Sequence, residues 1–179
     1  MSGRLPQRLQ AGFTLLELMV TIVIVAIIGA FAMPAMTNII LKHRVHDAAS
    51  DVFIALFKAR SEALKRNVDV SLKSSGSSQT NWANGWEMPD PANSGVFLEK
   101  HEPLKRVAAT LSGVALPAFP VYNSLGRIKN GTPVFVISGS NGGYSCSYTV
   151  TVDPSGRPYE TSTGVLGSGQ ASGGGVPTC

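Results

Sequence analysis

The chain has 179 residues, with 15 Lys and Arg against 11 Asp and Glu, for a formal charge of +4. That length holds one domain of ordinary size beside any apolar segment. So mild a charge excludes a histone-like polycation and neither demands nor rules out a nucleic-acid partner.

The first twelve residues carry Arg4 and Arg8 and no acid, so their removal leaves 13 basic residues against 11 acidic ones. From Leu18 to Met36 no residue is charged, yet Glu17 sits just inside the apolar boundary. As a helix rising about 1.5 Å per residue, Phe13 to Met36 covers roughly 36 Å, enough for a hydrocarbon core of ~30 Å. The leading arginines keep the N-terminus in the cytoplasm and place the chain from Lys42 onward on the far side. A carboxylate within such a segment is costly and is a functional suspect by default.

Three readings compete for this segment. Ala30-Phe31-Ala32 is a small-x-small site of the kind found in cleaved secretory signals. Against it, the apolar run is long, and the helical pattern continues past Ala32 with no loop. A plain single-span anchor leaves Glu17 unexplained. The third reading uses every residue. Gly12-Phe13-Thr14-Leu15-Leu16-Glu17 resembles the class III signal of type IV prepilins and pseudopilins. The resemblance implies that a prepilin peptidase cuts between Gly12 and Phe13 and methylates Phe13, making Glu17 the fifth mature residue. The new cationic amine and the Glu17 carboxylate then offset each other's desolvation. If the amine belongs to a neighbouring subunit, the pair sets the register between helices.

Pro34 removes an amide donor from an otherwise continuous pattern, and a kink or local melting is expected there. Pilins commonly carry a proline at this place. From Thr37 to Arg66 an amphipathic helix follows. Val45, Ala49, Val52, Leu56, Ala59 and Ala63 form a stripe that Phe53, Phe57 and Leu64 widen. Glu62 supports Lys58 and Arg66 at four-residue spacing. Helix from Phe13 to Arg66 is about 80 Å long, so part of it must project from a domain of this size.

The period then changes to two. Val68, Val70 and Leu72 alternate in a strand over 67–73. Further strands are expected over 96–99, 105–110, 120–123, 133–138 and 144–152, separated by Gly-, Pro- and Asn-rich turns. Residues 161–178 are Gly/Ser-rich and read as a loop. One long helix followed by many strands predicts an α+β domain with the helix on antiparallel sheet. Trp82-Ala83-Asn84-Gly85-Trp86, followed by Asp90, is similar to a segment of the FimT/FimU/GspH group of minor pilins and pseudopilins. Its physical reading is a tight turn at Gly85 that lets Trp86 enter the core. Phe119 to Arg127 and Val134-Phe135-Val136 look like later strands of that group. Met88-Pro89 replaces that group's usual apolar run in the first strand after Trp86.

The predicted organisation is therefore a cleaved leader (1–12), a transmembrane and assembly helix (13–36), its amphipathic half (37–66) and a β-rich periplasmic domain (67–179). Cys146 and Cys179 are incidental thiols in a cytosolic protein and one disulfide in an oxidising compartment. The far side of a membrane favours the bond, worth roughly 3–4 kcal/mol.

No catalytic constellation, phosphate loop or cofactor motif is present. His43 and His46 lie three apart on a helix with no third metal ligand, so solvated surface is the better reading. His101, among Glu99, Lys100 and Glu102, reads as an exposed turn. Some pilins of the group bind DNA through a late Gly-Arg-x-Arg segment. Here Gly156-Arg157-Pro158-Tyr159 stands at the comparable place, with Tyr159 replacing the second arginine. Arg157 suits a phosphate and Tyr159 a base. Lys105, Arg106, Arg127 and Lys129 add to that site only if they share its face.

The resemblance implies a minor pilin of a type IV pilus, a non-enzymatic subunit of the inner membrane that helps start or cap the filament. Its partners would be prepilin peptidase, other minor pilins and the major pilin. The alternatives are a minor pseudopilin of type II secretion and a pilus-associated DNA receptor for natural transformation.

Overall fold

The computed structural model describes residues 13–76, 78–115 and 118–163, without the side chains of 30–35, 162 and 163. The leader with Gly12, the Ala30-Phe31-Ala32 site, most of the Gly/Ser-rich tail and Cys179 lie outside the described residues. Helix α1 is assigned without a break over Leu15–Arg66. Two compact units divide it: one ends at Thr37, and the other runs from Asn38. The kink expected at Pro34 remains a proposal.

In the first unit, Thr14 caps the helix. Its Oγ1 accepts the Glu17 N–H at 3.2 Å, and its carbonyl accepts Leu18 N–H at 3.2 Å. Thr14 and Glu17 thus hold the N-cap and third helical positions, the Thr-x-x-Glu spacing of a capping box. From Leu15 to Ile28 the large apolar residues are all at least 50% exposed, on every side of the helix. Among the described residues no helix is long and apolar enough to cross a membrane. The segment read from the sequence, Phe13 to Met36, includes the undescribed side chains of 30–35.

In the second unit, α1 buries one face. Val45, Ala49, Val52, Leu56, Ala59 and Ala63 are fully buried, as the stripe predicts. Its widening residues behave differently: Phe57 is 55% and Leu64 49% exposed, while Leu41, Ala48 and Ala55 are buried instead. Five alanines on this face let the helix approach the sheet closely. At Gly139 a Cβ would come within 2.7 Å of Leu41 Cδ1, so the glycine marks a near contact of helix and sheet.

Among the described residues nine strands follow: β1 (Val70–Ser71), β2 (Lys73–Ser74), β3 (Trp86–Pro89), β4 (Phe97–His101), β5 (Ala108–Val114), β6 (Val121–Tyr122), β7 (Gly131–Asn141), β8 (Tyr144–Val152) and β9 (Pro158–Thr163). They form antiparallel sheets of order β1-β6, β2-β3-β4 and β5-β7-β8-β9. The single strand expected over 67–73 is two short ones, because the chain changes partners at Leu72, whose N–H goes to Pro120 O. Val70 and Leu72 are buried, but Val68 is exposed. The strand expected over 105–110 begins three residues later and runs to Val114. β3 stops at Pro89, where the register with β4 shifts; proline has no N–H to extend the ladder. β9 takes Thr161 to Thr163 from the expected loop. Trp82, Trp86, Tyr122 and Phe135 anchor one core against α1.

Candidate functional site

At the start of α1, the structure places Glu17 in the first turn, with its amide already bonded to Thr14. A carboxylate there also complements the positive end of the helix. The Thr14-x-x-Glu17 spacing is the sequence signal for this cap.

The tryptophan motif behaves as its spacing predicts. Gly85 has φ +85°, and a Cβ there would collide with His101 O. Gly85 N–H bonds Trp82 O at 3.1 Å, closing the turn. Trp82 and Trp86 are both fully buried, and Trp82 Nε1–H reaches Gln79 O at 3.1 Å. His101 corrects the exposed-turn reading. It ends β4, stacks on Trp86 at 3.9 Å between ring centroids and lies 3.3 Å from Asp51 on α1. Asp90 accepts hydrogen bonds from Ala92 N and Asn93 Nδ2 and pairs with Arg66 at 3.1 Å. Those hydrogen bonds hold its carboxyl below the usual carboxylate range. Glu62 pairs with Arg66 and Lys65, whereas Lys58 crosses to Glu99 at 2.9 Å rather than joining Glu62.

Arg157 lies in a turn that occurs twice. In Asp153-Pro154-Ser155-Gly156-Arg157, Asp153 N–H donates to Arg157 O, Gly156 N–H to Asp153 O, and Arg157 N–H to Asp153 Oδ1. In Asn123-Ser124-Leu125-Gly126-Arg127, the corresponding bonds run from Asn123 N–H to Arg127 O, Gly126 N–H to Asn123 O and Arg127 N–H to Asn123 Oδ1. Both glycines have positive φ, +70° and +82°, as the bulge of a three-residue hairpin loop requires. The turns touch: a Cβ on Gly156 would overlap Gly126 O and lie 3.2 Å from Arg127 Cα. Arg60 Nε–H ties Gly126 O to α1 at 3.0 Å. The repeat of Asx-x-x-Gly-Arg thirty residues apart is the sequence signal for these paired turns.

Of the other basic residues named for a DNA site, Arg127 lies in the turn that touches the Arg157 turn, while Lys105 lines a hollow with Asp47 and Asp51. Lys129 is engaged by Asp69. Arg106 lines a cavity of about 590 Å³ with Ser138, Gly139 and Cys146. Cys146 precedes the Val152 end of β8 by six residues, roughly 20 Å at the strand rise. Tyr159 is half-exposed on β9, opposite Thr151. Among the described residues no cluster of three or more His, Cys, Asp or Glu is placed to hold a metal. Cys146 is buried.

A family model described as type II transport protein GspH matches residues 48–156, and one for the prokaryotic N-terminal methylation motif matches residues 7–33. The chain belongs to the GspH family. With the methylation motif, this makes it a minor pilin or pseudopilin with a structural role. The motif implies processing by a prepilin peptidase and pilin partners, and it implies membrane anchoring. A crystal structure of the type IV minor pilin FimU from Pseudomonas aeruginosa (strain PAO1) shares the fold, with a TM-score of 0.51 and 17% identity over 65% of this chain and 87% of that one. The same protein in a second crystal form aligns at 18% identity and a TM-score of 0.49, over 65% and 91% of the two chains. No curated protein sequence matches. The GspH fold here is α+β, with the second half of α1 on antiparallel sheet.

Proposed function

We propose that this GspH-family subunit is a minor pilin of a type IV pilus, made as a single-pass inner-membrane protein with residues from about Lys42 onward in the periplasm. It acts by assembly, helping to start or cap the filament beside other minor pilins and the major pilin. The carrying observation is the helix from Leu15 to Ile28, apolar on every exposed side with one carboxylate in its first turn. Such a surface calls for lipid before assembly and other helices after it. Cleavage between Gly12 and Phe13 and methylation of Phe13 would give Glu17 its cationic partner. A bend at Pro34, whose missing N–H weakens the local helix, would let the two halves of α1 orient separately. A disulfide from Cys146 to Cys179 would suit the periplasm.

The mass of the mature N-terminus tests this reading. A methylated Phe13 is expected, while a start at Met33 would replace the pilin with a secreted protein.

A minor pseudopilin of type II secretion shares the same physics, and the GspH match favours it as much as the pilus. The cysteine pair tilts the reading to the pilus. Deleting the chain's gene and measuring piliation and protein secretion separately distinguishes them. A DNA receptor has one supporting observation, Arg127 beside Arg157. Two cations give weak, salt-sensitive binding. Absence of a duplex DNA shift below ~100 mM salt would end that reading.

A further inference from the structure

The two Asx-x-x-Gly-Arg turns touch and each presents an exposed arginine that forms no ion pair among the described residues. Lys58, Lys65, Arg66 and Lys129 each have an acidic partner between 2.6 and 3.6 Å. Arg127 and Arg157 are exposed, and among the described residues neither has an ion pair by the same measure. Asp153, in the same turn as Arg157, accepts from Ser155 Oγ–H and the Arg157 amide and attracts the Arg157 charge without forming an ion pair with it. The backbone beneath is fixed by both hairpin turns, by the Gly156–Gly126 contact and by Arg60. Aliphatic surface adjoins the arginines. Leu125, at the tip of the first turn, is 71% exposed. Leu64 of α1 is half-exposed and reaches within 3.1 Å of where a Gly126 Cβ would stand.

We propose that the paired turns are a docking surface for an acidic segment of a partner protein, with its carboxylates on Arg127 and Arg157 and a flanking apolar side chain against Leu125 and Leu64. Arginine beside exposed aliphatic side chains is the composition of a protein interface, and guanidinium matches carboxylate with two parallel hydrogen bonds. Duplex DNA fits less well. Its backbone asks for a track of cations, whereas Arg60 is turned to a carbonyl, Lys129 is bound to Asp69, and Arg106 stands at the other end of β8. Leucines would also face phosphates. The surface holds whether the subunit serves a pilus or a secretion system, so the N-terminal mass and this docking site fail independently.

The probe is a short labelled peptide of repeating Glu-Glu-Leu. It is titrated against the full chain in detergent micelles, with empty micelles as the blank. Its Gln-Gln-Leu counterpart and a short duplex DNA serve as comparisons. The expected result is saturable binding of the Glu peptide that falls roughly tenfold or more with the Gln peptide and again with R127A/R157A. Leu125→Ala should weaken it less, and R127K/R157K should retain part of it. The thermal midpoint of R127A/R157A should match the wild type, since both side chains are exposed. Equal binding by wild type and R127A/R157A overturns the proposal, as does no saturable binding. Tighter binding of the duplex than of the peptide, lost in R127A/R157A, overturns it in favour of a nucleic-acid site.

Discussion

The imidazole of His101 lies flat on Trp86, with ring planes 12° apart, and its Nε2 is 3.3 Å from Asp51 on α1. One side chain at the end of β4 thus covers a buried tryptophan and reaches the helix. His101→Ala removes the stacked ring and wets Trp86. It should lower stability by about 1–3 kcal/mol in urea unfolding. Asp51→Asn should cost less than about 1 kcal/mol, because that carboxylate is 46% exposed and the pair is screened. Equal losses in the two variants would show that the Asp51 contact, not the stack, supplies the stability.

Gly85 and Gly142 separate two reasons for a glycine. Both have positive φ, +85° and +54°. A Cβ at Gly142 meets nothing within 4 Å, so Gly142→Ala should cost only the left-handed penalty, about 1–2 kcal/mol. At Gly85 the Cβ strikes a backbone carbonyl of the next strand, which cannot move aside without shifting β4. Gly85→Ala should therefore cost clearly more and should weaken the Trp86–His101 stack, read as a change in tryptophan fluorescence. Equal costs would remove the packing argument for the tight turn.

The helix shows what sequence period can and cannot supply. Spacing identified the buried line from Val45 to Ala63 because a helix must turn one face inward whatever it meets. Spacing does not say how wide the covering sheet is, and Phe57 and Leu64, on the edge of the stripe, stay about half exposed. Overpacking probes the boundary. Ala59→Leu should destabilise by about 1–3 kcal/mol, while Phe57→Ala should stay within about 0.5 kcal/mol. His101 escaped for a related reason: its neighbours in sequence are charged, but its neighbours in space are Trp86 and Asp51, joined only by the β3–β4 register. The doubled turn was legible locally, but the contact between Gly126 and Gly156 depends on two hairpins meeting across the fold.

Acid should loosen the loops before the core. The Asp153 carboxyl is held below the usual range by Ser155 and the Arg157 amide, and Asp90 by Asn93 and the Ala92 amide. Both folded-state values lie below their unfolded ones. Their stabilisation is therefore complete above the unfolded carboxylate value near pH 4 and is lost as pH falls through the folded values. The thermal midpoint should decline below about pH 4. Asp153→Asn preserves the turn, since Asn123 accepts the equivalent amide bond with an amide oxygen, and it should flatten part of that decline. An unchanged pH profile in both Asp153→Asn and Asp90→Asn would show that these loops do not couple to folding.

Cys146 and Thr163 locate the C-terminal closure. β9 ends with Thr163 opposite Ser147, one residue along β8 from Cys146. A bond from Cys146 to Cys179 would then bring segment 164–178 back to the place where it leaves the sheet. The β8–β9 hairpin is already held by its own ladder in the folded state, so the bond acts mainly by restricting the unfolded chain. Intact mass under non-reducing conditions should be two hydrogens below the sum for free thiols. Reduction should lower stability by roughly 3–4 kcal/mol in the chain-entropy treatment. The Cys146→Ser and Cys179→Ser variants should each match the reduced protein and not each other's sum, because either change removes the same bond. Two alkylatable thiols in protein taken directly from the periplasm would reject the bond. Cys146 would then be an ordinary buried thiol near the start of β8.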